Sequence, residues 1–210
     1  MDFAYGPELR RRITDRLNQF SHQPLDHEGL CHAAVGVVII GGGEGGQGRV
    51  LLTKRPEHLN RHGGQYALPG GRLDDGETPE VAALRELDEE MGLYLDATAV
   101  MGRLDDYPTR SGFRITPIVI WGPDTAELNP DPNEVARVFH PSLSELNRPE
   151  LPEFRDTDAG EHPVLSVRLP STGGSVFAPT AAVLYQFREV ALRGDATRVS
   201  HFDQPEFACK

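Results

Sequence analysis

Near the N-terminus, Leu9, Ile13, Leu17 and Phe20 recur at helical spacing, and arginines at 10, 11, 12 and 16 cover much of the remaining surface. The pattern predicts an amphipathic helix over residues 7–20. A basic amphipathic helix can lie on a membrane surface, but packing against its own domain is the preferred reading. Residues 21–29 read as a loop. The apolar run over 33–40 predicts a buried strand, and the glycine-rich stretch 41–48 a flexible hairpin turn into a partner strand at 50–53. That stretch lacks the Lys-Ser/Thr ending of a phosphate-cradling loop and the pattern of a dinucleotide fingerprint. A further short strand leads into Pro69-Gly70-Gly71.

Next comes a helix with both ends marked. Thr78 is a good N-cap, Pro79 suits the first helical position and Gly92 is a natural stop. Val81, Ala82, Leu84 and Leu87 supply its apolar contacts. Strands are expected over 97–104, 113–121 and 135–139, with a helical turn at 143–146. The polar, proline-bearing stretch 147–163 suits a mobile lid, a dimer loop or passive surface. A hairpin over 164–169 and 174–176 and a helix over 179–192, with Leu184, Phe187 and Val190 buried, complete the pattern. After Gly194 the sequence reads as a loose tail from about residue 195. Pattern alone gives a mixed α and β domain.

A length of 210 residues is enough for one substantial core, so one domain over 1–210 is expected. Twenty-one basic and 32 acidic residues leave a formal charge of -11, which opposes nonspecific attraction to nucleic acid or anionic membranes. It does not oppose a nucleotide ligand, because metal ions can neutralise carboxylates locally. No apolar run is long enough to cross a bilayer, and no secretory leader is expected. Cys31 and Cys209 form neither a metal-ligand cluster nor a disulfide framework, so a reduced, cytoplasmic setting fits.

The chemistry concentrates in Gly71-Arg-Leu-Asp-Asp-Gly-Glu77 and Arg85-Glu86-Leu-Asp-Glu89-Glu90-Met-Gly92. Glu86 precedes Glu89 by three positions and Glu90 by four, so the three carboxylates project to overlapping sides of the helix. Their mutual repulsion costs helix stability, and Mg²⁺ or Mn²⁺, which take hard oxygen ligands, would offset it. The alternative is a solvated acidic face. Upstream, Lys54, Arg55, Arg61 and His62 gather positive charge in an otherwise acidic chain. Arginine can grip phosphate bidentately and histidine adds a switchable charge; surface or salt-bridge roles are the alternative for Arg55 and Arg61.

The first segment resembles the Nudix hydrolase signature at every fixed position: a glycine, five residues, a glutamate, seven residues, then Arg-Glu-aliphatic-any-Glu-Glu-any-Gly-aliphatic. The resemblance implies an α/β Nudix fold, a mixed β-sheet sandwiched between α-helices, and a metal-dependent split of a diphosphate linkage. It implies metal ligation by Glu86, Glu89, Glu90 and the Gly71 carbonyl. Arg85 is expected to orient a carboxylate such as Glu77, and Gly70, Glu77 and Gly92 to shape the motif. Glu86 leads as general base, followed by Glu89; Glu134 is a further metal or base candidate, or a solvated strand-edge glutamate.

The run Leu51-Leu-Thr-Lys-Arg55…His62-Gly-Gly-Gln65…Pro69-Gly-Gly71 is similar to the extra motif of the coenzyme A diphosphatase branch, and Pro179-Thr-Ala-Ala182 to its late threonine-alanine segment. Leu68 stands where that branch usually has phenylalanine, and Pro56 where a hydroxyl residue is common. The branch implies coenzyme A or acyl-coenzyme A as substrate, 3′,5′-ADP and 4′-phosphopantetheine derivatives as products, and a homodimer. His62 would shape its loop through a hydrogen bond first and contact phosphate second. ADP-ribose or another nucleotide sugar is the alternative substrate, and a noncatalytic nucleotide-binding regulatory module the alternative class.

Overall fold

The computed structural model describes residues 2–25, 29–59, 62–155 and 163–204. Helix α1 (Pro7–Gln19) buries Leu9, Ile13 and Leu17 along one stripe. Strand β1 (Cys31–Ile40) then forms the spine of a mixed sheet. It pairs antiparallel with β2 (Arg49–Val50) and with β5 (Gly70–Arg72), and parallel with β8 (Phe113–Trp121). Strands β6 (Val100–Arg103) and β7 (Tyr107–Pro108) run antiparallel to β8. Alternation along β1 and β8 gives the sheet two apolar faces. Ala34, Val38, Ile40, Ile118 and Ile120 pack with Ala83, Leu87 and Met91 of helix α2 (Pro79–Met91). Val37, Ile39 and Val119 pack on the other side with α1 and with Leu184 and Phe187 of helix α4 (Thr180–Phe187). This is the expected α/β Nudix fold, with a mixed sheet between helices.

Two smaller sheets complete the fold. Strands β3 (Leu52–Lys54), β4 (Tyr66–Ala67) and β9 (Arg137–Phe139) form one. The expected single strand over 50–53 is therefore broken at Leu51, where the chain leaves the large sheet for the small one. Strands β10 (Glu153–Arg155), β11 (Val164–Leu169) and β12 (Gly174–Phe177) form the other. β10 lies within the 147–163 stretch, of which residues 156–162 are outside the described residues. The expected strand at 97–104 begins instead with a 3₁₀ turn, Ala97–Ala99, whose first amides are capped by Asp96. The late helix relaxes from α to π geometry over Arg188–Arg193 and ends at Gly194 in the left-handed region. Beyond it, Val199 is buried and Arg198 reaches Asp105 at 2.6 Å. Helix α3 (Leu143–Leu146) is capped by Ser142. Among the described residues, no helix is long and apolar enough to cross a membrane.

Candidate active site

The geometry of the site starts from two glycines. The Pro69-Gly70-Gly71 turn is stitched to β1 by Gly36 N–H, which donates to Pro69 O at 2.8 Å, and by the pairing of Gly71 with Ala34 and Gly70 with Val35. A Cβ at Gly70 would overlap the Ala34 carbonyl, and one at Gly71 would overlap the Glu86 carboxylate. Only glycine lets these backbones and this carboxylate approach so closely. Helix α2 crosses directly behind the turn. Thr78 Oγ1 accepts from Val81 N–H at its start, and Gly92 takes the left-handed conformation at its end. Its buried stripe is Ala82, Ala83, Leu87, Glu90 and Met91, so a glutamate occupies a position that helical spacing assigns to the core. Val81, expected to be an apolar contact, is 54% exposed.

Arg85 organises the acidic set. Its guanidinium forks onto both Glu77 oxygens at 3.0 Å, donates to Glu86 Oε1 and Glu89 Oε2 at 2.9 Å, and closes on the Arg72 carbonyl at 3.0 Å. The Arg85 fork holds the Glu77 carboxyl below the usual range, burial opposing it, and Asp74 N–H reinforces the effect. Glu90 is different. It is 6% exposed, and Gly70 N–H donates to its Oε2 at 3.1 Å. Burial pushes its carboxyl up to about 8; Gly70 N–H works against the rise, while Glu134 and Glu86 add to it and Arg55 offsets part of it. Glu86 is also raised, by burial first, with Arg85 opposing and the Glu89 and Glu134 charges adding. Glu86, Glu90 and Glu134 thus share one electrostatic neighbourhood beside the glycine turn.

Of the four cationic candidates upstream, Arg55 and His62 line a cleft of about 220 Å³ that opens beside Gly70 and Gly71. Arg55 Nη1 stands 4.0 Å from Glu90 Oε1 and 4.0 Å from Glu134 Oε2. His62 adopts a left-handed φ of 56°, uncommon for a non-glycine residue. It shapes the loop through its backbone, since Gln65 N–H donates to its carbonyl at 3.2 Å, and it faces the cleft. Lys54 instead turns to Glu57 at 3.4 Å and does not line the cleft. Arg61 lies outside the described residues.

Several cleft residues escaped the sequence reading. Phe113 and Ile115 come from β8, Val183 from α4, and Thr109, Ser111 and Gln204 from distant turns. Alternation along 113–121 could have put Phe113 and Ile115 on one face, but nothing local shows that α4 closes over them. Thr180 Oγ1 donates to the Tyr66 carbonyl at 3.2 Å and Tyr66 Oη to the Thr172 carbonyl at 2.8 Å, tying the late segment to β4, just before the glycine turn.

The donor set is carboxylate and carbonyl oxygen, which suits a hard divalent cation. Buried Glu90 and partly buried Glu86 repel each other and are the groups such a cation would relieve, so the residues fit. Among the described residues, no three His, Cys, Asp or Glu side chains are already gathered to hold a metal ion; Arg85 engages Glu77, Glu86 and Glu89 instead.

The NUDIX domain pattern matches residues 31–160, and with this glycine turn and helix in place the chain belongs to the Nudix family. It is 40% identical over 100 residues to a protein of Yersinia enterocolitica named uncharacterized Nudix hydrolase NudL, covering 47% of this chain and 51% of that one. It is 33% identical over 149 residues to Nudix hydrolase 3 of Caenorhabditis elegans, covering 68% and 62%. The match thus spans only about half to two-thirds of these relatives. The solved structure of a MutT/nudix family protein from Enterococcus faecalis shares the fold, with a TM-score of 0.50 at 17% identity, over 89% of this chain and 75% of that one.

Proposed function

We propose that the chain is a Mg²⁺- or Mn²⁺-dependent diphosphatase that hydrolyses coenzyme A or acyl-coenzyme A to 3′,5′-ADP and 4′-phosphopantetheine derivatives. The observation that carries this reading is the convergence of Glu86, Glu90, Glu134 and Arg55 on the Gly70–Gly71 turn at one end of the cleft. Glu86, Glu89, Glu90 and the Gly71 carbonyl would hold the cation. When bound, the cation polarises phosphoryl oxygens and lowers the pKa of an attacking water. Arg85 fixes the Glu86 and Glu89 rotamers and keeps Glu77 ionised. Glu86 is the leading base for the water proton, with Glu89 and Glu134 as alternatives. Arg55 and His62 face the substrate phosphates, and the apolar wall of Leu68, Ile115 and Val183 takes the uncharged part of the ligand.

The coenzyme A assignment rests on the motif from Leu51 to Gly71, whose Arg55 and His62 face the cleft and whose Tyr66 is joined to Thr180. The position of Lys54, turned toward Glu57, favours the second reading, a nucleotide sugar such as ADP-ribose that needs no 3′-phosphate clamp. Catalytic efficiencies for coenzyme A, 3′-dephospho-coenzyme A and ADP-ribose, compared at one metal concentration, separate the two. Coenzyme A is expected to lead. Preference for ADP-ribose defeats the substrate assignment, and full activity after removal of all divalent ions defeats the metal chemistry. Ligand binding without product across a panel of diphosphates indicates a regulatory module instead.

A further inference from the structure

Arg55 has a fixed backbone and an underbonded side chain. Its N–H donates to Gln65 O at 2.9 Å and its carbonyl accepts from Gly64 N–H at 3.1 Å, so the residue is pinned at the root. Its buried Nε has no hydrogen-bond partner among the described residues. Its Nη1 stands at 4.0 Å from two carboxylates, Glu90 and Glu134, beyond hydrogen-bonding distance of either. Arg85, thirty positions on, shows what a committed guanidinium does: it forks onto Glu77 at 3.0 Å through two nitrogens. Orphaned buried donors are costly, so the loose placement of Arg55 suits a residue with a second set of partners.

From this contrast we infer that Arg55 is a resident counter-ion of the Glu90–Glu134 pair that yields to a divalent cation, and that its freed guanidinium then meets the substrate phosphate. The inference rests on the metal-dependent reading above. In the metal-free protein, Arg55 supplies positive charge between a buried carboxylate and a half-exposed one. A divalent cation held by Glu90, with Glu134 alongside, would repel the guanidinium, and the cleft that Arg55 lines is the open direction for it. An anion in that cleft draws Arg55 the same way. Cation and anion therefore each remove the competitor of the other, and by linkage the effect is reciprocal. Arg55 is in this sense a positioning residue that couples two binding events, beyond any contact it makes in the bound state.

The test is direct Mn²⁺ binding to the metal-free protein, with free Mn²⁺ read by electron paramagnetic resonance and no nucleotide present. R55Q is expected to bind Mn²⁺ about fivefold tighter than wild type or better, within the usual range of coupling between sites. R55K, which keeps the charge, is expected to stay close to wild type. Adenosine 3′,5′-bisphosphate is expected to tighten Mn²⁺ binding in wild type more than in R55Q. R55M, which keeps the aliphatic stem, replaces R55Q if that variant does not fold. Mn²⁺ affinity in R55Q and R55M that equals or falls below wild type overturns the counter-ion role while leaving the metal-dependent reading intact. Absence of Mn²⁺ binding in every variant, wild type included, overturns both.

Discussion

Two buried acidic regions in this molecule are treated in opposite ways. Asp105 and Asp106, at the turn between β6 and β7, are 3% and 6% exposed, much like Glu90 on α2. Asp105 accepts from Gln23 N–H, Arg198 and Gln186 at 2.6 to 2.7 Å. Asp106 accepts from Thr116 Oγ1 at 2.6 Å and Leu25 N–H at 2.9 Å. The two aspartates clamp three distant segments onto one strand end, and their charge is met by donors. Glu90 is buried to the same degree with one backbone donor at 3.1 Å and a guanidinium at 4.0 Å. Burying a charge is tolerable when it is paired and hydrogen-bonded and costly otherwise. Burial alone thus does not mark a functional acid; burial without a full set of donors does.

Isosteric amides test this contrast most sharply. E90Q keeps an acceptor for Gly70 N–H while removing the charge, so its melting temperature in chelator should equal or exceed that of wild type. Its hydrolytic rate should fall on the order of 10²-fold, as when one transition-state-stabilising group is lost; near-wild-type turnover would break the comparison. D105N should behave in reverse. Even with its oxygen kept toward Gln23 N–H and Arg198, its new amide group faces the Gln186 Nε2 donor and the charge that met Arg198 is gone, costing about 2 kcal/mol or more, roughly 4–8 °C in a chain of this size. Its turnover per folded molecule should not change, which thermal melts paired with active-site titration will show. T78A removes the cap of α2 and should cost about 1 kcal/mol, about 2–4 °C, measurable in the same melts.

The smallest effect is in pH. His32 accepts from Arg114 through Nδ1 at 2.6 Å and meets Thr116 through Nε2 at 2.8 Å, so it joins the Asp106 network. Burial lowers its pKa below the ordinary imidazole value, as does Arg114, with Asp106 opposing. A base whose folded pKa is depressed binds fewer protons folded than unfolded, so stability rises with pH across that window. Acidification should therefore erode stability as pH falls below about 6.5, levelling off below the folded pKa. H32Q should flatten that part of the melting-temperature curve. A slope identical to wild type would show that His32 does not contribute; His140, also lowered by burial and then by Arg49, supplies a remaining part of the same sign.

What the sequence made legible was local. Thr78 and Pro79 mark the start of α2 and Gly92 its end, and strand 113–121 is bounded as its apolar run suggests. Glu90 lies on the buried stripe with Ala83, Leu87 and Met91, a place that the expected apolar set of Val81, Ala82, Leu84 and Leu87 does not give it. The break at Leu51 was hidden because the apolar run continues through it while hydrogen-bond partners change. The 3₁₀ turn at 97–99 and the π turn at 188–193 follow from capping and packing that periodicity does not carry. The cleft was least legible. Phe113, Val183 and Gln204 meet only through chain closure over long sequence separations.

The break at Leu51 has a mechanical consequence. Because the chain changes sheets there, Arg55 extends from the end of β3, and Glu134 lies just before β9, the strand paired with it; Ala136 N–H donates to Lys54 O at 2.9 Å. Guanidinium and carboxylate therefore ride on one small rigid plate, while Glu86, Glu89 and Glu90 ride on a helix fastened to the other. The gap between the two plates sets the bite of the site like the opening of a caliper. Repacking Leu52, Val135 or Phe139 at the seam alters that bite without touching a single charged group.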